Sequence, residues 1–151
     1  MEPEAQAYVD TFHNLWEQAR AAIKDLPPQA LNWTPLAKDT NSAAIMVAHM
    51  CGSNAMHVYQ ALTGVDVRRQ RDAEFQASAQ SAADLVAMTE RSEAQCREAL
   101  ESTTARALGE AVALPGRDPT PRRAVVLRTV GHMALHVGHL QLTRQLWEAR
   151  S

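Results

Sequence analysis

The sequence predicts an all-α protein, a four-helix bundle with long crossing connections. The six Gly and seven Pro of the 151 residues cluster between long stretches rich in Ala, Leu, Gln, Glu and Arg, which are good helix formers. In four of these stretches, apolar residues recur every three or four positions, as on one face of a helix. Four amphipathic segments with no internal repeat are typical of a four-helix bundle.

The first predicted helix covers about residues 4–26, and prolines end it. Pro27 and Pro28 follow the pattern directly, and proline cannot continue a helix. The connection after them contains Trp33 and is long for two adjacent antiparallel helices, so we expect it to cross the bundle. The apolar positions of this helix are Tyr8, Phe12, Leu15, Trp16, Ala19, Ile23 and Leu26.

The second predicted helix covers about residues 41–63. Asn41 or Thr40 can cap its amino terminus, because a side-chain oxygen there accepts a hydrogen bond from a free backbone N–H. Thr63 followed by a glycine marks its end. Residues 65–80 are polar, and we expect a loop with at most a short turn.

The third predicted helix covers about residues 81–102. Ser81 and Asp84, three residues apart, resemble a capping box at its start. Residues 109–121 contain Gly116 and three prolines, which predict a loop.

The fourth predicted helix covers about residues 121–148. We expect Thr120 to be its cap and Pro121 to occupy its first position, where the missing N–H of proline does no harm. All four helices are predicted to form one domain over residues 1–151, the usual size for a single domain.

Composition and charge exclude several classes of function. The chain has 15 Lys and Arg against 17 Asp and Glu, which does not favour binding to a phosphate backbone. No apolar run approaches the roughly 20 residues of a membrane span, and the first residues are acidic where a signal peptide is basic. Cys51 and Cys96 form no CxxC motif and are expected to be reduced thiols. We therefore expect a cytoplasmic protein that binds neither nucleic acid nor membranes.

Three histidines lie close together in the fourth helix. At 100° per residue, His132, His136 and His139 project from one stripe, and that stripe is the expected core face. Buried imidazoles are costly unless each has a partner. A divalent metal is one such partner, because imidazoles four residues apart on a helix can converge on an ion at about 2.0–2.1 Å.

A third ligand has to come from another helix, and His49 is the best candidate. It lies in the almost wholly apolar segment Ile45–Met50 of the second helix. His57 is turned about 80° from it and Cys51 about 200°, so neither is expected to reach the same point. The alternative remains open that these histidines, like His13, are structural residues that bond to carbonyl or carboxylate groups.

Three segments carry a resemblance to a known family. They are NSAAIMVAHMCG in the second helix, Arg71 with Glu74 and Phe75 after it, and HMALHVGHLQLTRQL in the fourth helix. Together they resemble the DinB-like (YfiT-like) superfamily of damage-inducible proteins, over nearly the whole chain. The resemblance implies a four-helix bundle that holds a divalent metal on three histidines.

Carried over by position, the metal ligands implied by the resemblance are His49, His132 and His136. The sequence departs from the family pattern at His139, where the family often has glutamine after Gly138. His139 is therefore a candidate fourth ligand, a hydrogen-bond partner of a ligand, or a proton carrier.

Three imidazoles leave a coordination position open, as in catalytic zinc sites. Such a site activates bound water or thiol. We expect the divalent metal to be zinc or nickel. The resemblance favours a transferase that uses a low-molecular-weight thiol such as bacillithiol or mycothiol. We expect a thiol-dependent S-transferase or a hydrolase that acts on a small electrophilic substrate. The alternatives are a non-catalytic stress-response bundle that binds a metal or small ligand, and an interaction bundle with structural histidines.

The remaining polar groups are expected to be mostly structural or solvated. The carboxylates of Asp66, Glu74 and Glu93 lie in polar stretches and are expected to face solvent. The basic run 68–71 is expected to be a solvated loop face, although a thiol that carries carboxylates could use it. Arg128 is expected to form a salt bridge to a neighbouring helix, with an anionic substrate as the alternative.

Self-association is expected from apolar surface that one small bundle would not cover. The aromatic and apolar side chains that suggest a homodimer are Tyr8, Trp16, Leu146 and Trp147.

Overall fold

A computed structural model describes residues 1–150, and Ser151, the last residue of the predicted domain, lies outside the described residues. Helices dominate the structure, as predicted. They are α1 (Pro3–Ile23), α2 (Pro28–Leu31), α3 (Ala43–Asn54), the π-helix π1 (Ala55–Gln60), α4 (Ala61–Thr63), α5 (Arg71–Glu74), α6 (Ala82–Glu101), α7 (Ala105–Gly109) and α8 (Arg122–Ala149). The strands β1 (Ala111–Val112) and β2 (Thr120–Pro121) pair antiparallel.

Four long helical segments form the bundle: α1, the continuous run from α3 through α4, α6, and α8. The first of these packs against α6 and α8, and α3 packs against the same two helices. The second and fourth long segments are therefore neighbours, as a site shared by His49 and the histidines of the fourth helix requires. No helix among residues 1–150 is long and apolar enough to cross a membrane.

The core lies between these four segments. Trp16 is fully buried in it, so the expectation that this residue provides surface for self-association is wrong. Trp147 packs edge-on against Trp33 of the connection between α2 and α3, with 5.6 Å between the ring centroids. Other large side chains of the core are Ile23, Leu31, Met50, Leu100, Met133 and Leu140.

The ends of the first two long segments differ slightly from the predicted ones. The first helix ends at Ile23 rather than near residue 26, because the chain turns through Asp25, which has a φ of 60°. At the start of α3 the cap is Ser42, whose hydroxyl accepts a hydrogen bond from the Ile45 N–H at 3.2 Å. Thr40, one of the two predicted caps, instead bonds to the backbone of Leu36.

The second long segment contains a π-helix that the sequence did not predict. This segment runs without a break into α4 and ends, as expected, at Gly64, whose φ of 78° suits glycine. In π1 the Nδ1 atom of His57 lies 3.0 Å from the Ser53 carbonyl oxygen. π-helical turns are rare and are frequent at functional sites.

Pairing of the short strands changes the predicted start of the fourth helix. Thr120 and Pro121 belong to β2 and have extended backbones, so α8 begins only at Arg122. The Thr120 hydroxyl donates to the Asp118 carbonyl and caps no helix. The predicted loop 65–80 contains one short helix, α5, whereas Ser81 caps α6 as predicted.

Candidate metal centre

The structure brings His49, His132 and His136 together. The Nε2 atom of His132 lies 2.9 Å from that of His49 and 3.1 Å from that of His136. Three ligand atoms, one from each of these residues, all lie within 4.8 Å of one another. One imidazole comes from α3, and the other two are one turn apart on α8.

Hydrogen bonding alone cannot satisfy this cluster. The Nδ1 atom of His49 lies 2.9 Å from a carboxylate oxygen of Glu74, which only accepts, so His49 carries its proton on Nδ1 and a lone pair on Nε2. A neutral His132 Nε2 either donates to His49 or accepts from His136, so at most one of its two short contacts is a hydrogen bond. The buried Nδ1 atoms of His132 and His136 have no hydrogen-bond partner among residues 1–150. A divalent cation would bind the converging lone pairs, so the residues present fit a metal ion.

Burial keeps these imidazoles in the state that binds metals. Burial first, and then the neighbouring imidazoles, lower the pKa of His132 and of His136 to about 4. Burial also lowers the pKa of His49, against the opposing effect of its bond to Glu74. All three rings are therefore neutral at pH 7, as metal ligation requires.

The carboxylate that orients His49 is itself buried. Glu74 is only 9% exposed and forms a two-pronged ion pair with Arg69, at 2.7 and 2.9 Å. The expectation that both residues are solvated is therefore wrong. Their short segment folds back over α3, where the imidazole and the guanidinium together satisfy the carboxylate.

Gly52 makes room for this carboxylate. It lies three residues after His49 on α3, and a Cβ atom at this position would overlap the Glu74 carboxyl group and approach Arg69 to 3.2 Å. A glycine in the interior of a helix costs stability relative to alanine, so close approach of another group is a physical reason for it. This glycine was the signal in the sequence that could have identified a buried group beside His49.

His139 and His13 lie outside the cluster. His139 is exposed, its ring centroid is 5.8 Å from that of His136, and it does not join the group of converging nitrogens within residues 1–150. His13 bonds to Glu93 at 2.6 Å, which agrees with the structural role considered for it. Glu93 also pairs with Arg20 at 2.7 Å, so the expectation that Glu93 is simply solvated is wrong.

Neither cysteine is poised to act as a nucleophile or a ligand. Burial raises the pKa of Cys51 and of Cys96 to about 12. The Cys51 sulfur lies 3.8 Å from the Met88 carbonyl oxygen of α6, and Cys96 is in the core. Both are free thiols, as the spacing of the cysteines suggests.

A cavity of about 380 Å³ adjoins the cluster. His49 and His132 form part of its wall, so a molecule in the cavity would lie against the converging nitrogens. Arg128 also lines the cavity, and its Nε–H donates to the Ala124 carbonyl at 3.4 Å. It has no acidic partner among residues 1–150, so the expectation that it forms a salt bridge to a neighbouring helix is wrong. Ser53, His57, Val112, Leu114, Val125 and Thr129 supply other parts of the wall.

Solved structures share the fold over most of the chain. A conserved protein from Enterococcus faecalis matches with a TM-score of 0.79, at 12% identity and over 99% of each chain. A DinB-like protein from Bacillus cereus matches with a TM-score of 0.72, at 16% identity, over 93% of this chain and 90% of that one.

The mycothiol-dependent maleylpyruvate isomerase also matches, with a TM-score of 0.67 at 14% identity. The match covers 93% of this chain but only 63% of the isomerase. These likenesses confirm the DinB-like four-helix fold.

Sequence comparison gives the family. No significant match was found among curated protein sequences. The family model described as "Protein of unknown function (DUF1572)" matches residues 4–150. The chain belongs to this family.

Proposed function

We propose that this protein is a metal-dependent enzyme that acts on a small electrophilic substrate, as a thiol-dependent S-transferase or a hydrolase. The observation that carries the proposal is the convergence of three neutral imidazole nitrogens beside a cavity whose wall includes His49 and His132. Three protein ligands with an open side are the arrangement of catalytic rather than structural zinc sites.

His49, His132 and His136 are the residues that would hold the metal. A divalent ion bound there, zinc or nickel, would supply positive charge that stabilises the anionic form of a thiol or of water. Glu74 keeps the His49 proton on Nδ1, and Arg69 holds the carboxylate in place. These two residues therefore act through the orientation of His49 rather than on the substrate.

An external thiol is the favoured co-substrate. Both cysteine thiols of the chain are buried with a pKa of about 12, so neither supplies a thiolate at neutral pH. The similar isomerase is mycothiol-dependent, which supports a low-molecular-weight thiol here. In the transfer, the thiol sulfur would form a bond to the electrophilic carbon, and the leaving group would depart with its electron pair.

The test is turnover by protein of known metal content. Protein loaded with zinc or with nickel is incubated with mycothiol or bacillithiol and an aryl halide, and separately with nitrophenyl esters. We expect thiol conjugation or ester hydrolysis that disappears on chelation and in His136→Ala, and that persists in the matched control His13→Ala.

The non-catalytic alternative predicts a different result. Stoichiometric metal without turnover of either substrate class would favour a bundle that only binds a metal or small ligand. Protein that takes up no metal, and whose melting temperature is unchanged by Zn²⁺ or Ni²⁺, would contradict both hypotheses and support structural histidines.

A further inference from the structure

Arginine side chains surround the cavity beside the histidine cluster. Four of them line it: Arg69, Arg71, Arg117 and Arg128. The charge of Arg69 is balanced by Glu74, with 2.7 Å between nitrogen and oxygen. Among the described residues, none of the other three lies within salt-bridge distance of a carboxylate.

Arginines elsewhere on the molecule behave differently. Most of those outside the cavity pair with acidic side chains, and the paired residues are Arg20, Arg97, Arg106, Arg122, Arg123 and Arg144. Net charge does not explain the contrast, because acidic residues slightly outnumber basic ones in the chain. Among residues 1–150, three of the six arginines without a carboxylate partner therefore line one cavity, and the other three, Arg68, Arg91 and Arg150, do not.

The three unbalanced arginines come from separate parts of the chain. Arg71 begins α5, Arg117 lies between β1 and β2, and Arg128 is one turn before His132 on α8. The short β-hairpin and the α5 segment thus bring charged groups to the same cavity as α8.

Their positive field extends to His57, which also lines the cavity. Burial is the main reason that the pKa of His57 is lowered, and the charges of Arg117 and Arg128 are among the smaller causes that lower it further.

We propose that the cavity binds a small organic acid with two or three anionic groups, carboxylate or phosphate, which Arg71, Arg117 and Arg128 bind while the reacting atom lies at the three histidines. This inference rests on the proposed function for the role of the acid as substrate or thiol co-substrate. The guanidinium fork binds both kinds of anion through paired N–H donors. The cavity of about 380 Å³ accommodates a small molecule of this kind.

The apolar part of the wall fits the same ligand class. Val112, Leu114 and Val125 provide surface for a short carbon skeleton between the anionic groups and the histidines. Leu114 and Val125 are almost fully buried within a small apolar cluster, so this surface is held in place by the fold.

The experiment measures binding by isothermal titration calorimetry with three probes: tricarballylate, inorganic phosphate and the neutral compound succinamide. Tricarballylate or phosphate should bind to the metal-loaded protein, and the affinity should fall when salt is added. Succinamide should not bind. A preference between the two anions identifies the ligand as a carboxylic acid or a phosphate ester. Failure of both anions to bind would overturn the inference.

Matched variants separate the arginines from the general charge of the protein. In Arg117→Gln/Arg128→Gln, affinity for the anionic probe should fall at least about tenfold, because two charge-assisted contacts are lost. Arg91→Gln/Arg106→Gln removes the same charge from exposed positions outside the cavity, and its affinity should change by less than about twofold. Equal losses in the two double variants would overturn the inference.

The same titration of His136→Ala distinguishes this inference from the proposed function. An anion held by the arginines keeps most of its affinity when the metal is absent. If an anion bound only to metal-loaded protein, and equally well in both arginine variants, the arginine site would be contradicted. The proposed metal-dependent enzyme would not be contradicted by that result. Arginine-dependent binding in protein that takes up no metal would support the anion site and contradict the metal enzyme.

Discussion

Glu74 accepts a hydrogen bond from His49 across 2.9 Å, between a carboxylate from α5 and an imidazole from the middle of α3. Both side chains are buried, and the bond fixes which nitrogen of His49 faces the other two histidines. A carboxylate behind a histidine in this way sets the tautomer and increases the basicity of a metal-binding imidazole. The candidate site is therefore a set of five residues, with Glu74 and Arg69 behind the three histidines.

Glu74→Gln should weaken metal binding by about 10- to 100-fold while the fold is kept. The amide oxygen can still accept from His49, but the negative charge that supports the imidazole is lost. The measurement is a competition titration of metal against a chelator, with circular dichroism to monitor helix content.

Glu93→Gln is the matched control for that substitution. Glu93 pairs with Arg20 and His13, away from the cluster, so its loss should affect stability but not metal affinity. A Glu74→Gln protein that binds metal as tightly as Glu93→Gln would show that the carboxylate behind His49 contributes nothing to the site.

Gly52→Ala should displace Glu74 from His49. The added methyl group would occupy the position of the carboxylate, and overpacking of this kind costs about 1–3 kcal/mol. Urea unfolding measures the loss of stability, and the competition titration measures the weaker metal binding that should accompany it. Gly131→Ala on α8, where an added Cβ meets nothing within 4 Å, is the control and should change neither property adversely. Unchanged metal affinity in Gly52→Ala would contradict the packing argument.

Lowering the pH from 7 to 5 should destabilise the metal-free protein. The pKa of His132 and His136 is about 4 in the folded state and near 6.5 in the unfolded chain. Below pH 6.5 the unfolded chain takes up these protons first, so the free energy of unfolding falls as pH decreases and continues to fall towards pH 4.

Urea unfolding at several pH values checks this dependence. In His132→Ala/His136→Ala, the free energy of unfolding should change less between pH 7 and 5 than in the unmodified protein. In His139→Ala it should change as much as in the unmodified protein. If the free energy of unfolding changed equally with pH in all three proteins, these two imidazoles would not remain neutral on folding.

The helices and the three clustered histidines could be predicted from sequence because both depend on local spacing. Periodicity locates each long helix, and an HxxxH pair on one helix face converges wherever that helix lies. The apolar surroundings of His49 identified the third member, since an isolated polar group in such a segment needs a partner.

Glu74 and Arg69 could not be predicted in this way. Their segment has the polar composition of a solvated loop, and its burial depends on the space that Gly52 leaves on a helix distant in sequence. The start of α8 was misplaced for a similar reason, because Thr120 pairs with Val112 across a hairpin rather than acting as a cap. Contacts distant in sequence decide both features.

Self-association remains a prediction, and the structure moves its expected surface to α8. Leu127, Leu135, Leu142 and Leu146 are 43–62% exposed and lie within about 100° of one another around that helix. Leu135→Glu should therefore convert a dimer to a monomer, as light scattering at micromolar concentration would show. Leu36→Glu, at an exposed leucine outside the bundle helices, should leave the mass unchanged. A monomeric unmodified protein would contradict the prediction.

The metal content of purified His136→Ala tests the central claim most directly. Elemental analysis should find about one divalent ion per chain in the unmodified protein and in the controls His13→Ala and His139→Ala, since three imidazoles form one site. His136→Ala should retain its helix content and lose the ion, because two imidazoles remain. Retention of metal by His136→Ala at the level of the unmodified protein, with loss in His139→Ala or His57→Ala instead, would contradict the assignment of His49, His132 and His136 as the ligands.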